Sequence, residues 1–453
     1  MIDDEAPVGN FSMSGDAAVQ NTTEDAASSK LSAVRMGYFR DDYLEHFVRR
    51  VTRRSPLINR GYYARVAGIR KAIDGFLSCI PQGTTAQIVN LGSGMDTTFF
   101  YVNDKPQSVV CFECDFPEVI QRKAHTILRK EPCWKAMARN REDIVQVPGG
   151  ALRSEPLRMV AADMRQVDEF ERQLVQAGFQ DDLPTLWLAE CVLVYMQPLH
   201  SDAIIRWAAN AVSKAPSAFV VYEQILPHDA FGRTMVRNLQ ARGCPLLGIH
   251  EYPTLDSQRQ RYVSLGFTRC EAADMNDVYD LHLDGAEIAR IQRLEIFDEL
   301  EEWRLIQGHY FIGVALKGSH DEQHRGSLSY LEPLTQIWST PRPSDTEMRF
   351  RSFGSLPPRP APPPSINGIV PPGGFLPPSF GGPVPIPADP PRFVPSGGMV
   401  NGGGGHVMAN HVPPASGGGG GGRMMGMAHL PEVPVFREED EAEEGSEGQG
   451  MRD

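Results

Sequence analysis

The chain is short of most features that would settle a function at once. It has 7 cysteines in 453 residues, odd in number and widely scattered. That excludes a disulfide framework and suits reduced thiols in the cytosol or nucleus. Cys111 and Cys114 form one CxxC, but no second pair or His pair stands at zinc spacing, so free core thiols are the expectation and no metal is expected. No apolar run reaches the roughly 18 residues of a membrane span. The first residues, with Asp3, Asp4 and Glu5, do not read as a secretory leader. There is no excess of positive charge: the net charge is −13, which argues against a general nucleic-acid binder. The pairs Arg49-Arg50 and Arg53-Arg54 read as a solvated helix face. No repeat of 20–50 residues is present, and no third glycine completes a GxGxxG.

What is present divides into three parts. Residues 1–29 are small and polar and read as a disordered arm. Residues 30–319 carry apolar periodicity and read as one domain. From 320 to 453 the composition shifts to proline runs such as Leu356-Pro-Pro-Arg-Pro-Ala-Pro-Pro-Pro364, glycine runs (Gly402 to Gly405, Gly417 to Gly422) and an acidic end around Glu438 to Glu444. Such a segment buries too little apolar surface to offset the entropy of ordering, so it reads as a disordered tail.

The domain alternates strand and helix. Expected strands are Ala86–Leu91, Val109–Cys114, Leu157–Ala162, Thr185–Ala189 and Ala218–Tyr222, with two more near Gly266–Cys270 and His309–Leu316. Helices are expected within 30–54, from Asn59 to about Pro81, after Pro117, over 167–177, over 198–212 and, as one long amphipathic element, over 286–305. Residues 131–156 read as a polar loop. Alternation of this kind gives right-handed crossovers and an α/β fold, a mostly parallel sheet with helices on both faces. A final antiparallel pair would close it at seven strands.

The informative residues stand at strand ends, because an open α/β sheet binds ligands outside the carboxyl ends of its strands. The first strand ends in Gly92-Ser93-Gly94, where glycine permits a tight turn and a close ligand. The next strands end on Asp115, Asp163 and Glu190. Each acid alone could be a helix cap; together with the glycine turn they make a pocket. Asp115 follows Gly94 at about the 20-residue offset where an acid meets ribose hydroxyls. A row of carboxylates repels phosphate, so a dinucleotide fits poorly. S-adenosylmethionine has ribose hydroxyls, an amino group and a positive centre, and no phosphate. Asp115 would take the ribose, Asp163 the adenine amino group, and Glu190 the methionine end. Pattern alone leaves Arg65 open between a cation at the pocket rim and an exposed ion-pairing arginine.

Four segments resemble the leucine carboxyl methyltransferase family: Asn59-Arg-Gly-Tyr-Tyr-Ala-Arg-Val66, Ile88-Val-Asn-Leu-Gly-Ser-Gly-Met-Asp-Thr-Thr-Phe99, Glu113-Cys-Asp-Phe-Pro117 and Leu188-Ala-Glu-Cys-Val-Leu-Val-Tyr-Met196. The resemblance runs from about Lys30 to Lys317. It implies a Rossmann-like class I methyltransferase that uses S-adenosylmethionine to esterify the C-terminal leucine of the protein phosphatase 2A catalytic subunit; a monomer is expected, though the sequence does not set the oligomeric state. It implies a cofactor held by Lys30, Arg65, Gly92, Asp115, Asp163, Met164 and Glu190, with Arg65 where the family grips the cofactor's carboxylate. Met164 stands where leucine is expected in relatives. A C-terminal carboxylate, with a pKa of roughly 3.3–3.7, is ionised at neutral pH, so no general base is needed. The work is in-line positioning and exclusion of water. Arg65 and Tyr195 are the candidates for orienting the substrate carboxylate. Val192, Leu193 and Met196 could contribute to an apolar slot around the leucine, with buried core packing the favoured role of the first two. The related tRNA wybutosine branch carries a kelch-type propeller where this chain has its Pro/Gly-rich tail. An NAD-dependent enzyme and a non-catalytic phosphatase scaffold are the other readings, against which the acid row and the intact cofactor set count.

Overall fold

The computed structural model describes residues 12–318, with Leu331 and Leu334. The tail expectation therefore lies outside the described residues, as does Arg342–Met427, the second of two units into which the chain divides.

Among the described residues the sheet has nine strands: β1 Ala86–Leu91, β2 Val109–Asp115, β3 Val145–Gln146, β4 Leu152–Arg153, β5 Leu157–Ala161, β6 Thr185–Glu190, β7 Ser217–Gln224, β8 Arg269–Asp274 and β9 Tyr310–Lys317. Their order is β3-β4-β5-β2-β1-β6-β7-β9-β8. The five strands from β5 to β7 are parallel. β9 runs antiparallel to both β7 and β8, the expected closing pair. The seven-strand expectation is thus extended by β3 and β4, two-residue antiparallel strands beside β5 that are too short to show a periodicity. They arise within the expected 131–156 loop, which also holds a helix, Glu131–Met137.

Both faces of the central strands are buried. Ile88 of β1 enters one apolar layer, while Val89 and Leu91 enter the other, as a period of two requires. Cys111 and Cys114 of β2 likewise enter opposite layers, which separates their thiols. One layer lies against α1 Ser12–Arg35, α2 Pro56–Cys79, α3 Thr98–Asn103 and α4 Pro117–Arg129; after α5 Glu131–Met137, the other lies against α6 Val167–Gln176, α7 Pro198–Ala211 and, beyond α8 Ala230–Ala241, α9 Leu255–Ser264. Proline opens α2, α4 and α7 within their first two positions, where its missing N–H costs nothing.

Three helical expectations are corrected. Residues 12–29, expected to be a disordered arm, belong to α1. This helix has no broad apolar stripe; it is anchored by tertiary contacts. Ala27, Ser29, Lys30, Leu31 and Ala33 are buried, Arg122 binds Glu24 at 3.0 Å and Arg165 binds Asp16 at 2.8 Å. The helix expected across 30–54 stops at Arg35, because Gly37 takes a φ of 83° and Tyr38 N and Gly37 N donate back to Ala33 O and Val34 O, a glycine C-terminal cap; beyond it Asp41 Oδ1 accepts from the backbone N–H of Tyr43 and Leu44 and forms a turn. Tyr43 then stacks on Phe100 at 4.1 Å. Arg53 of this loop pairs with Glu295. The long helix over 286–305 is two helices, Gly285–Ile291 and Leu300–Gln307. Between them Glu295 turns in to accept from Asn59 at 2.9 Å, and Phe297 lies under the Arg60 guanidinium at 3.9 Å.

The strand order reverses at β1: the chain runs outward through β2 to β5, then returns to β6 on the other side. That reversal opens a crevice between the ends of β1 and β6, where the sequence places Gly92 and Glu190.

Candidate active site

A cavity of about 200 Å³ opens at this reversal. Its floor is the turn after β1. Gly92 and Gly94 both have positive φ, 72° and 48°. A Cβ on Gly92 would meet Val192 Cγ2 at 2.5 Å, and one on Gly94 would meet Thr23 Cγ2 at 3.0 Å. The turn needs glycine for its conformation and for its neighbours.

Charge at the β6 side is concentrated on Glu190. Lys30 Nζ reaches Glu190 at 2.9 Å and Asp96 at 2.9 Å, and Arg65 Nε donates to Glu190 Oε1 at 2.5 Å. Burial pulls the Lys30 ammonium down, but Glu190 and Asp96 outweigh it and hold it above the ordinary lysine value. Arg65 is held up by Glu190 against its own burial. Burial favours a neutral Asp96, yet Lys30 and then Lys123 hold its carboxyl below the usual range. The Arg65 guanidinium also lies 4.7 Å from the Tyr222 ring centre and 5.4 Å from that of Tyr62. Tyr222 in turn stacks on Tyr310 at 5.4 Å. Nε carries the hydrogen bonding of Arg65 to the described residues, which leaves Nη1 and Nη2 for an anion.

Tyr195 lines the same cavity, and burial raises its phenol well above the ordinary value. It stands on a short 3-10 turn, Leu193–Tyr195. That turn is fixed by Glu223, whose carboxylate accepts from Val194 N at 2.9 Å. Cys191, just before it, has φ 56°, a backbone conformation that a residue with a Cβ adopts at a cost. Burial pushes its thiol up to about 12, so it stays neutral.

The structure thus gathers Lys30, Arg65, Gly92, Glu190 and Tyr195 around one cavity. Asp115 sits directly beneath: Gly94 N donates to Asp115 Oδ2 at 2.7 Å and Phe116 N to Oδ1 at 2.7 Å. Burial raises its carboxyl, and these two bonds oppose the rise. Asp163 and Met164 follow β5, along the same sheet edge but outside the cavity lining. Asp163 is bound by Arg165 at 2.8 Å, which also grips Asp16 of α1, and Met164 is buried. Helix α1 lies over this edge, with Thr22, Thr23 and Asp25 facing the cavity. Val192 and Leu193 take the core role favoured for them, and only the slot role of Met196 is corrected. None of them lines the cavity: Val192 packs against the Gly92 turn, Leu193 is fully buried and Met196 packs against the core. The apolar lining comes instead from Leu239 of α8 and the rings of Tyr62, Tyr195 and Tyr310. Sequence patterning had no means of bringing α8 and β9 to this site.

The sequence profile of the family described as "Leucine carboxyl methyltransferase" matches residues 18–209. The chain is 41% identical over 308 residues to "Leucine carboxyl methyltransferase 1 homolog" of Arabidopsis thaliana, covering 67% of this chain and 91% of that one. It is 40% identical over 311 residues to "Leucine carboxyl methyltransferase 1" of Bos taurus, covering 68% and 92%. It is 39% identical over 309 residues to "tRNA wybutosine-synthesizing protein 4" of Homo sapiens, covering 66% of this chain and 44% of that protein. The cofactor is S-adenosylmethionine, and the residues fit it. Ser93 Oγ is buried without a hydrogen-bond partner among the described residues on the cavity floor, the glycine turn leaves room for close approach, and both anionic (Asp96, Glu190) and cationic (Lys30, Arg65) side chains line the cavity for a zwitterion. With these relatives and the cavity at the reversal point together, the chain belongs to the leucine carboxyl methyltransferase family and is a methyltransferase of the α/β, Rossmann-like class I fold.

Proposed function

We propose that this chain esterifies the α-carboxylate of a C-terminal leucine, and that its substrate is the catalytic subunit of protein phosphatase 2A. One observation carries the proposal. Arg65 lines the cavity, is held through Nε by Glu190 and lies 4.7 Å and 5.4 Å from the Tyr222 and Tyr62 ring centres, and its two Nη groups, which make no hydrogen bond to the described residues, suit a carboxylate as a fork.

S-adenosylmethionine supplies an electrophilic methyl group when bound. Lys30, Gly92, Asp115 and Glu190 would hold it. The chain's own task is to orient an anion and keep water from it. Arg65 neutralises one carboxylate oxygen, the Tyr195 phenol donates to the same group, and the rings of Tyr62 and Tyr310 shed water around it. No proton has to be removed from a group that is already ionised.

Two outcomes follow. Tyr195→Phe removes one donor and should lower kcat/KM about tenfold with unchanged cofactor affinity; unchanged kcat/KM would remove Tyr195 from the mechanism. The rate should also be flat with pH from about 7 to 9. The substrate carboxylate is ionised there, Lys30 is held above its usual value near 10.4, and the Tyr195 phenol is held above its own near 10. On the acid side affinity falls as Asp115, whose carboxyl is raised, takes up its proton. A rate rising through an ionisation between pH 7 and 9 would demand a general base and contradict the scheme. The substrate itself is tested by incubation with methyl-labelled cofactor and purified phosphatase catalytic subunit, with and without its terminal leucine. Base-labile label that requires the leucine supports the assignment; label transferred to tRNA instead would replace it with the wybutosine reading.

A further inference from the structure

Gln224 ends β7 and is 3% exposed. It lines the cavity, and its side-chain amide bonds the Tyr310 phenol, yet its Oε1 accepts no hydrogen bond among the described residues. A buried amide oxygen left without a donor is destabilising unless something in the functional state satisfies it. No sequence motif points to this residue.

Its place in the sheet says which ligand it faces. Asp163 follows β5, Asp115 ends β2, Gly92 follows β1 and Glu190 ends β6, all in adjacent strands. Gln224 lies one strand further on, past the methionine end of the cofactor row and so on the substrate side. It is also two residues beyond Tyr222, hence on the same face of β7 and about 7 Å further along. Tyr222 is the ring beneath Arg65. The fork for a carboxylate and the unsatisfied acceptor therefore stand side by side. The backbone of one terminal residue, with a hydrogen bond at each end, spans that interval: carboxylate on Arg65, its own peptide N–H on Gln224.

We propose that Gln224 is a specificity residue whose Oε1 accepts the peptide N–H of the substrate's C-terminal residue. This rests on the substrate class proposed above and deepens it. Arg65 recognises the anion; Gln224 recognises that the anion ends a peptide chain.

The test uses semi-synthetic phosphatase catalytic subunit in two forms, with the last linkage either the natural amide or an ester, which lacks the N–H. Wild-type enzyme should methylate the amide form about tenfold faster in kcat/KM than the ester form. Gln224→Met, similar in volume but without an acceptor amide, should handle the two forms equally, both at the slower rate. Its affinity for S-adenosylhomocysteine, measured by calorimetry, should match wild type, which also reports that the variant is folded. Equal rates for the two forms in wild type would overturn the inference and leave the leucine assignment standing. So would discrimination that persists in Gln224→Met. Lost affinity for S-adenosylhomocysteine with discrimination intact would assign Oε1 to the cofactor ammonium and overturn it as well. Wild type that binds S-adenosylhomocysteine but methylates neither form would sink the substrate assignment, and the inference with it.

Discussion

Arg65→Ala is expected to reduce kcat/KM for carboxyl methylation by about a thousandfold, the upper range for loss of one preset donor at a reacting oxygen. Three consequences of the geometry add up. The substrate anion loses its fork. Glu190 keeps Lys30 but loses the Arg65 bond at 2.5 Å, which frees a carboxylate to repel the incoming one. The aromatic pair Tyr222 and Tyr310 loses the cation stacked above it. Arg65→Lys restores charge without the planar fork, so a loss of roughly a hundredfold should remain. Both variants need melting curves beside the kinetics. Full activity in Arg65→Lys would mean that a point charge suffices and that bidentate geometry is irrelevant.

Lys123→Met is expected to lower stability by about 3–5 kcal/mol. Lys123 is 0% exposed, and its ammonium lies 2.8 Å from Glu113, which is 2% exposed. The motif that carries Asp115 thus has a buried ion pair at its back. Deleting one partner strands the other charge in an apolar layer, whereas Glu113→Leu with Lys123→Met should recover most of the loss. The pH dependence has a defined sign. Burial already raises the Glu113 carboxyl and Lys123 opposes the rise; without Lys123 it rises further. An acid whose folded pKa is raised binds protons better folded than unfolded, so stability falls as pH climbs from the unfolded value near 4.3 through the folded one. The Lys123→Met deficit should therefore be smaller at acid pH and grow toward neutrality. Urea titrations of the single and double variants at several pH values read this directly. A deficit independent of pH would mean that Glu113 is not the group left uncompensated.

The parts visible in the sequence share a physical cause. Ile88, Val89 and their counterparts in β2, β6 and β7 are buried on both faces, so each strand appears as a compact apolar run. The candidate ligand residues Gly92, Asp115 and Glu190 follow these runs at once, so the run ends mark them in the sequence. Helix α1 was hidden because its order comes from partners far along the chain: Asp16 meets Arg165 across 149 residues and Glu24 meets Arg122 across 98. The gap in the 286–305 helix carries no glycine or proline; Glu295 and Phe297 turn inward for tertiary partners. The apolar lining was not legible because Leu239 and Tyr310 arrive from elements with no local signature of a site, while Met196 packs against the core and Val192 fills the space that Gly92 leaves. Gln224 is the extreme case, since a glutamine at a strand end becomes informative only when its oxygen is seen buried and unbonded.

The central claim is spatial: one crevice at the β1–β6 reversal holds the methyl donor and presents an incoming carboxylate to it. A crystal structure of the protein with S-adenosylhomocysteine and a leucine-terminated peptide measures this most directly. The account predicts the ribose on Asp115, the homocysteine portion between Gly92 and Glu190, and the peptide carboxylate on Arg65 facing the thioether sulfur. Density for the nucleoside in another crevice, or a peptide carboxylate bound away from Arg65, would contradict it.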